Sequence, residues 1–327
     1  MKLPILKYCF FTVVCCLIFY STKGQNRPQT AFYWENPYYI NPAFINLDYF
    51  SFVTVSAKKQ WMDYQGSPST FFATGTMFWE EAKSQAGVKI LQDQIGYMKT
   101  LDFSLSYSHS VQITWNSFLN LGVAGVYLSQ SVDRKKVTMD DINDPILNSE
   151  RMRGLQSWDA NLGAEWVYDK KLRIGISGQN ILSFFKKEPY IFESTNYLYA
   201  RLRTRTFAQR YNSRMYGTGS FNTSLDVEYG LCMKMYRDEL QLDGMVSLYF
   251  NRSNQPEKYQ LSLIGRSTSE LGFMFGVKLI HDLKVLCSYD YNFKAVKDKA
   301  YGTFEVIVSI PLRPNDICRS EWDLFKN

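Results

Sequence analysis

Two histidines, scattered acids and one run of arginines are the side chains from which this 327-residue chain could build chemistry. His109 lies on the apolar side of an alternating stretch and His281 opens the turn His281-Asp282-Leu283-Lys284, so both read as interfacial or turn residues rather than proton carriers. Ser108 and Ser110 flank His109 but point to the opposite face of an extended chain, and no triad is legible. Asp140-Asp141-Ile142-Asn143-Asp144 lacks the central glycine and closing glutamate of a calcium loop and reads as a solvated loop. No glycine-rich phosphate cradle is present. A non-enzymatic chain without a catalytic, cofactor or metal site is expected.

The arginines are more informative. Arg201, Arg203 and Arg205 fall at period two, which on a strand projects all three from one face, and Arg210 and Arg214 follow. Such a row either lines a lumen in ion pairs with inward acids such as Asp226, Glu228 and Asp243, or forms a patch that binds an acidic segment of a partner.

Strands are what must carry these residues. From Leu101 to Trp115, Leu101, Phe103, Leu105, Tyr107, Val111, Ile113 and Trp115 alternate with Asp102, Ser104, Ser106, Ser108, Ser110, Gln112 and Thr114. The run is longer than an ordinary soluble strand and suits one that crosses a bilayer at a tilt. The same alternation returns around Leu121, Leu162, Ile174, Tyr229, Leu248, Phe273, Tyr289 and Val306. With less regular segments at 50–59, 69–79, 85–92, 199–212 and 257–266, it predicts about fourteen antiparallel strands. An even number closes a transmembrane β-barrel with both ends on the periplasmic side. Asn116, Asp169 and Asp282 then mark periplasmic turns, while 132–155 and 182–198 are long outer loops. A soluble sandwich shares the alternation, but its strands are shorter, and closure removes the aggregation-prone edge of a long apolar strand.

Lys2 and Lys7 precede an apolar run from Tyr8 to Tyr20, with small residues at Thr22 and Gly24, which predicts a signal peptide over 1–24. Its removal takes away Lys2, Lys7 and Lys23 and no acid, lowering the formal charge from +6 to +3, too weak a bias to argue for nucleic acid. Cys232, Cys287 and Cys318 then remain, odd in number and far apart, and free thiols are expected. Residues 25–48, with Asn36-Pro37 and Asn41-Pro42, read as an irregular entry segment, 49–312 as the barrel, and 313–327 as a periplasmic tail. In that tail Trp322, Leu324 and Phe325 sit among charges. They suit either a partner's pocket or a return into the barrel.

The hairpin Lys58-Lys59-Gln60-Trp61-Met62-Asp63-Tyr64-Gln65-Gly66-Ser67-Pro68-Ser69-Thr70 resembles the first hairpin of the PorP/SprF family, in which a Lys-Gln-Trp run leads to Gly-x-Pro-x-Thr. Lys59, Gln60, Trp61, Gly66, Pro68 and Thr70 carry that likeness. So do Asn36 to Phe44, Asp93-Gln94-Ile95-Gly96, Asn143-Asp144-Pro145, the run from Ile176 to Leu182, and Tyr289, Asp290 and Tyr291. Gln179, where the family has proline, and the extension past Pro314 depart from it. The resemblance implies an outer-membrane barrel of the type IX secretion and gliding machinery. Its implied partners are outer-membrane lipid, periplasmic ring, motor and peptidoglycan-linked proteins, and C-terminal domains of secreted cargo. A porin or small-solute channel shares this fold and is the competing expectation.

Overall fold

The computed structural model describes residues 28–46, 49–62, 66–132, 154–185, 191–204, 225–236, 239–252, 255–279, 282–293 and 302–314. Fourteen strands run in order: β1 Tyr49–Gln60, β2 Ser69–Trp79, β3 Ser84–Ile95, β4 Met98–Thr114 and β5 Ser117–Val132. Then come β6 Leu155–Tyr168, β7 Leu172–Gln179, β8 Thr195–Arg203, β9 Leu225–Tyr236 and β10 Glu239–Arg252. β11 Gln255–Arg266, β12 Glu270–Lys278, β13 Lys284–Asn292 and β14 Thr303–Pro314 complete the wall. Each strand pairs with its sequence neighbours, and β1 pairs with β14, so the sheet is a closed antiparallel barrel.

Side-chain alternation explains closure. Along β4, Leu105 is 59% exposed on the outside while Asp102 is fully buried on the inside, and the two faces keep this division over most of the strand. The outer apolar surface is framed by aromatic pairs: Tyr127 with Trp158 at one height and Trp166 with Tyr168 at the other. From Trp158 to Tyr168 the strand rises about 33 Å along its own axis, or about 25 Å along a barrel axis at the usual tilt, which is the height of a membrane-facing apolar band. Among the described residues no helix is long and apolar enough to cross a membrane.

The wall has two distinct ends. At the turn end lie the start of β1, the end of β14 and the tight connections at Asn116, Asp169 and Asp282; at the loop end lie the connections through 133–154 and 180–194. Asp169 and Lys170 both adopt left-handed backbone (φ 49° and 51°), and Lys171 N donates back to Tyr168 O at 3.1 Å, closing a tight turn in the three-residue connection between the paired Tyr168 and Leu172.

Of the strand expected over 199–212, residues 199–203 belong to β8, and residues 205–212 lie outside the described residues. The last strand, in a barrel read over 49–312, stays in the ladder to Pro314: Pro311 faces Phe52 and Pro314 faces Tyr49, with a register shift at Ser51 that gives proline room in the ladder. The described part of the entry segment, residues 28–46, forms two short helical turns and fills the barrel.

Candidate functional site: an occupied lumen

Residues 28–46 have neither helical nor strand period, and their short turns pair only part of their polar backbone. Inside the barrel that backbone finds partners. The segment makes a single helical turn, α1 (Phe32–Glu35), then a 3-10 turn at Pro37–Tyr39 capped by Asn36, whose side chain accepts from Tyr38 N. Phe32, Tyr39 and Phe72 of β2 stack at ring distances of 5.0–5.8 Å, and Leu91, Val126 and Met274 join them in one core inside the barrel.

Polar contacts run the length of the wall. Towards the loop end, Gln29 Nε2 donates to Gln241 at 2.8 Å, and Ala31 N and Thr30 Oγ1 donate to the Glu305 carboxylate, which also accepts from Ser56 at 2.7 Å. Asp243 accepts from Tyr33, from Gln241 at 2.8 Å and from Lys234 at 2.6 Å. Arg266, whose side chain is fully buried, pairs with Asp290 at 3.1 Å and with Glu270 at 3.2 Å. Further down, Asn36 Nδ2 donates to Thr74, Tyr38 OH meets Ser106 Oγ, and Asn41 Nδ2 donates to Ala164 O. Near the turn end, Lys284 pairs with Glu35 at 2.6 Å and Arg173 donates to Ile45 O. The segment therefore spans the lumen, entering at the turn end and reaching its first described residues beside the loop end.

Space for it comes from glycines that face inward on four strands. A Cβ on Gly122 would stand 2.5 Å from the Pro42–Ala43 backbone, and one on Gly87, Gly163 or Gly230 would collide with Tyr38, Asn41 or Trp34. From the loop end, Ile191 and Phe192 fold inward and are buried in the same core. Gly122→Val should force the segment out of its seat. The expected result is stable conductance steps in planar bilayers that the unaltered protein lacks, with the usual overpacking cost of about 1–3 kcal/mol.

The arginine row meets its acids. Arg201 Nε donates to Glu228 at 2.6 Å, and Arg203 bridges Glu228 at 3.4 Å and Glu257 at 3.0 Å while stacking 4.1 Å from the Tyr249 ring. Asp243 lies elsewhere, with Lys234. Arg205, Asp140 to Asp144, His281, Cys318, Trp322, Leu324 and Phe325 lie outside the described residues. His109 is exposed, its Nδ1 2.9 Å from Ser84 Oγ; Cys232 is buried and Cys287 exposed, both as free thiols. Among the described residues no cluster of His, Cys, Asp and Glu could hold a metal ion.

The signature hairpin organises the loop end. Lys59 Nζ donates to Ser67 O at 3.1 Å, Gln60 N to Pro68 O, and Thr70 Oγ1 to Asp93 at 2.6 Å. Trp61, at φ 48°, donates its N–H to Gly302 O, and Gly66, at φ 78°, receives the Gly96 N–H. Asp290 turns inward to Arg266 while Tyr289 and Tyr291 face out. What sequence reasoning missed is the lumen's occupant. The signal available was glycine on the inward face of four strands, at 87, 122, 163 and 230.

Fold and site together define a closed β-barrel membrane protein whose lumen is filled by its own amino-terminal segment. Residues 22–310 match the family model described as type IX secretion system membrane protein PorP/SprF, and the chain belongs to that family. It is an outer-membrane component of the type IX secretion system. No curated protein matches it. Among solved structures it is similar to the outer membrane protein Omp33 of Acinetobacter baumannii, at 8% identity and a TM-score of 0.44, covering 82% of this chain and 100% of that one. CdiB from Acinetobacter baumannii is similar at 7% identity and a TM-score of 0.41, covering 80% of this chain and 60% of CdiB. A deletion mutant of the monoaromatic hydrocarbon channel TodX is similar at 8% identity and a TM-score of 0.43, covering 82% of this chain and 92% of that one.

Proposed function

We propose that this chain is a non-enzymatic member of the type IX machinery that links the outer membrane to periplasmic ring, motor and peptidoglycan-linked proteins and assists export of secreted or gliding proteins. The observation that carries this reading is the lumen filled lengthwise by residues 28–46, which leaves the two ends of the barrel, rather than a solute path, as the surfaces to work with. In this reading the turn end faces the periplasm. Partners dock there on Trp322, Leu324 and Phe325, which follow β14 in sequence, and on Arg205, which follows β8, with Arg201 and Arg203 at the adjoining mouth.

Trimming the chain after Asn315, beyond the last ladder pair, tests the docking step. Assembly, judged by heat-modifiable migration, should persist while periplasmic partners are lost on pull-down from native membranes; retained partners would reject tail docking. Stable conductance by the unaltered protein would instead favour a solute channel. For orientation, single cysteines in a background without native thiols should react with an impermeant maleimide on whole cells at Asn143 and not at Lys170. The reverse pattern would invert the topology.

A further inference from the structure

The second half of the lumen segment is held mainly by its main chain. Gln179 Nε2 donates to the Tyr39 and Ile40 carbonyls at 2.9 Å, and Ser177 Oγ to Ile40 O at 2.7 Å. Gln85 grips both polarities, donating to Phe44 O at 2.8 Å and accepting from Asn46 N at 3.1 Å, while Arg173 donates to Ile45 O at 3.2 Å. Between these contacts, Gly122 and Gly163 let the Asn41–Ala43 backbone lie against the wall. A buried peptide group must find partners somewhere, and a plug could supply them from its own turns. Here the segment's own turns take the Ile40, Asn41 and Phe44 N–H groups, while β3 and β7 supply amide, hydroxyl and guanidinium groups that bind its carbonyls largely regardless of side chain, and β5 and β6 supply the glycines.

We propose that this part of the lumen wall is a binding site for polypeptide main chain, occupied in cis by residues 28–46 as an exchangeable ligand. The ligand class is a polypeptide segment with turn-like backbone and small residues where it crosses Gly122 and Gly163. The inference is independent of the secretion role: a barrel that recovers no secretion partners but exchanges its peptide leaves the site standing.

The test uses the full chain with a protease site in place of residues 47–48, cut after purification, and a fluorescent synthetic peptide of residues 28–46 as probe. The resident segment should stay bound after cutting, then exchange for the labelled peptide in excess. Gln85→Leu and Gln179→Leu, each first checked for heat-modifiable migration, should speed its loss about tenfold by removing main-chain hydrogen bonds. Three outcomes overturn the proposal: a segment that never exchanges while the barrel stays folded, one that leaves and does not rebind, and exchange that ignores both substitutions. The first two need no variant, so the proposal stays exposed even if a substitution fails to fold.

Discussion

Replacing Asp243 with leucine is expected to cost the folded barrel about 3–5 kcal/mol, the usual penalty for leaving buried opposite charge unpaired. This carboxylate takes hydrogen bonds from Tyr33 on the lumen segment and from Lys234 and Gln241 on β9 and β10, with Arg266 of β11 3.8 Å away. Lys234 and Arg266 are almost wholly buried, so neither can turn to water when Asp243 is lost. Arg266 keeps Glu270 and Asp290, whereas Lys234 keeps no ion pair among the described residues. Urea unfolding in lipid vesicles measures the loss. Lys171→Ala serves as the control, because the solvent-facing Lys171–Asp169 pair should contribute no more than about 1 kcal/mol and Lys171 lies outside the left-handed positions of the turn. If the two variants unfold alike, the inner network does not hold segment to wall.

Leu105→Arg is expected to cost about 2–4 kcal/mol in the same assay, because the side chain projects from the middle of the lipid-facing band. Alternation alone suggests that Ser104→Arg on the next residue should be mild, since it faces a lumen. The structure changes that expectation. Ser104 is buried beside Tyr38, Tyr39 and Lys89 in the small space between segment and wall, so a long cation there must displace packed side chains and is also destabilising. The two substitutions should differ in kind. Leu105→Arg should impair insertion into bilayers with the lumen still sealed, whereas Ser104→Arg should insert and leak. Identical behaviour would contradict the assigned faces.

Much of the wall was legible because a strand's two faces are written locally. Leu101 to Trp115 carries β4 in its alternation, Asp169-Lys170 carries a hairpin turn, and the cost of an unpaired strand edge in lipid forces closure. The pairing of Arg201 with Glu228 was also legible, since inward residues on neighbouring strands must neutralise each other. The ladder through Pro311 was not, because proline is excluded from a ladder only where no register shift accommodates it.

The sequence by itself determined a closed, lipid-facing barrel and the family to which it belongs, because side-chain period, turn residues and signature motifs are read a few residues at a time. Only the tertiary structure decided what occupies the lumen. Residues 28–46 have no period to betray their burial, and their partners, Gln85, Gly122, Arg173, Gln179, Asp243 and Glu305, are spread over more than two hundred residues of chain. Each is an ordinary polar or small residue on the inner face of its own strand. Closure alone turns them towards one another, and the peptide groups that the segment's own turns leave over go where those groups converge.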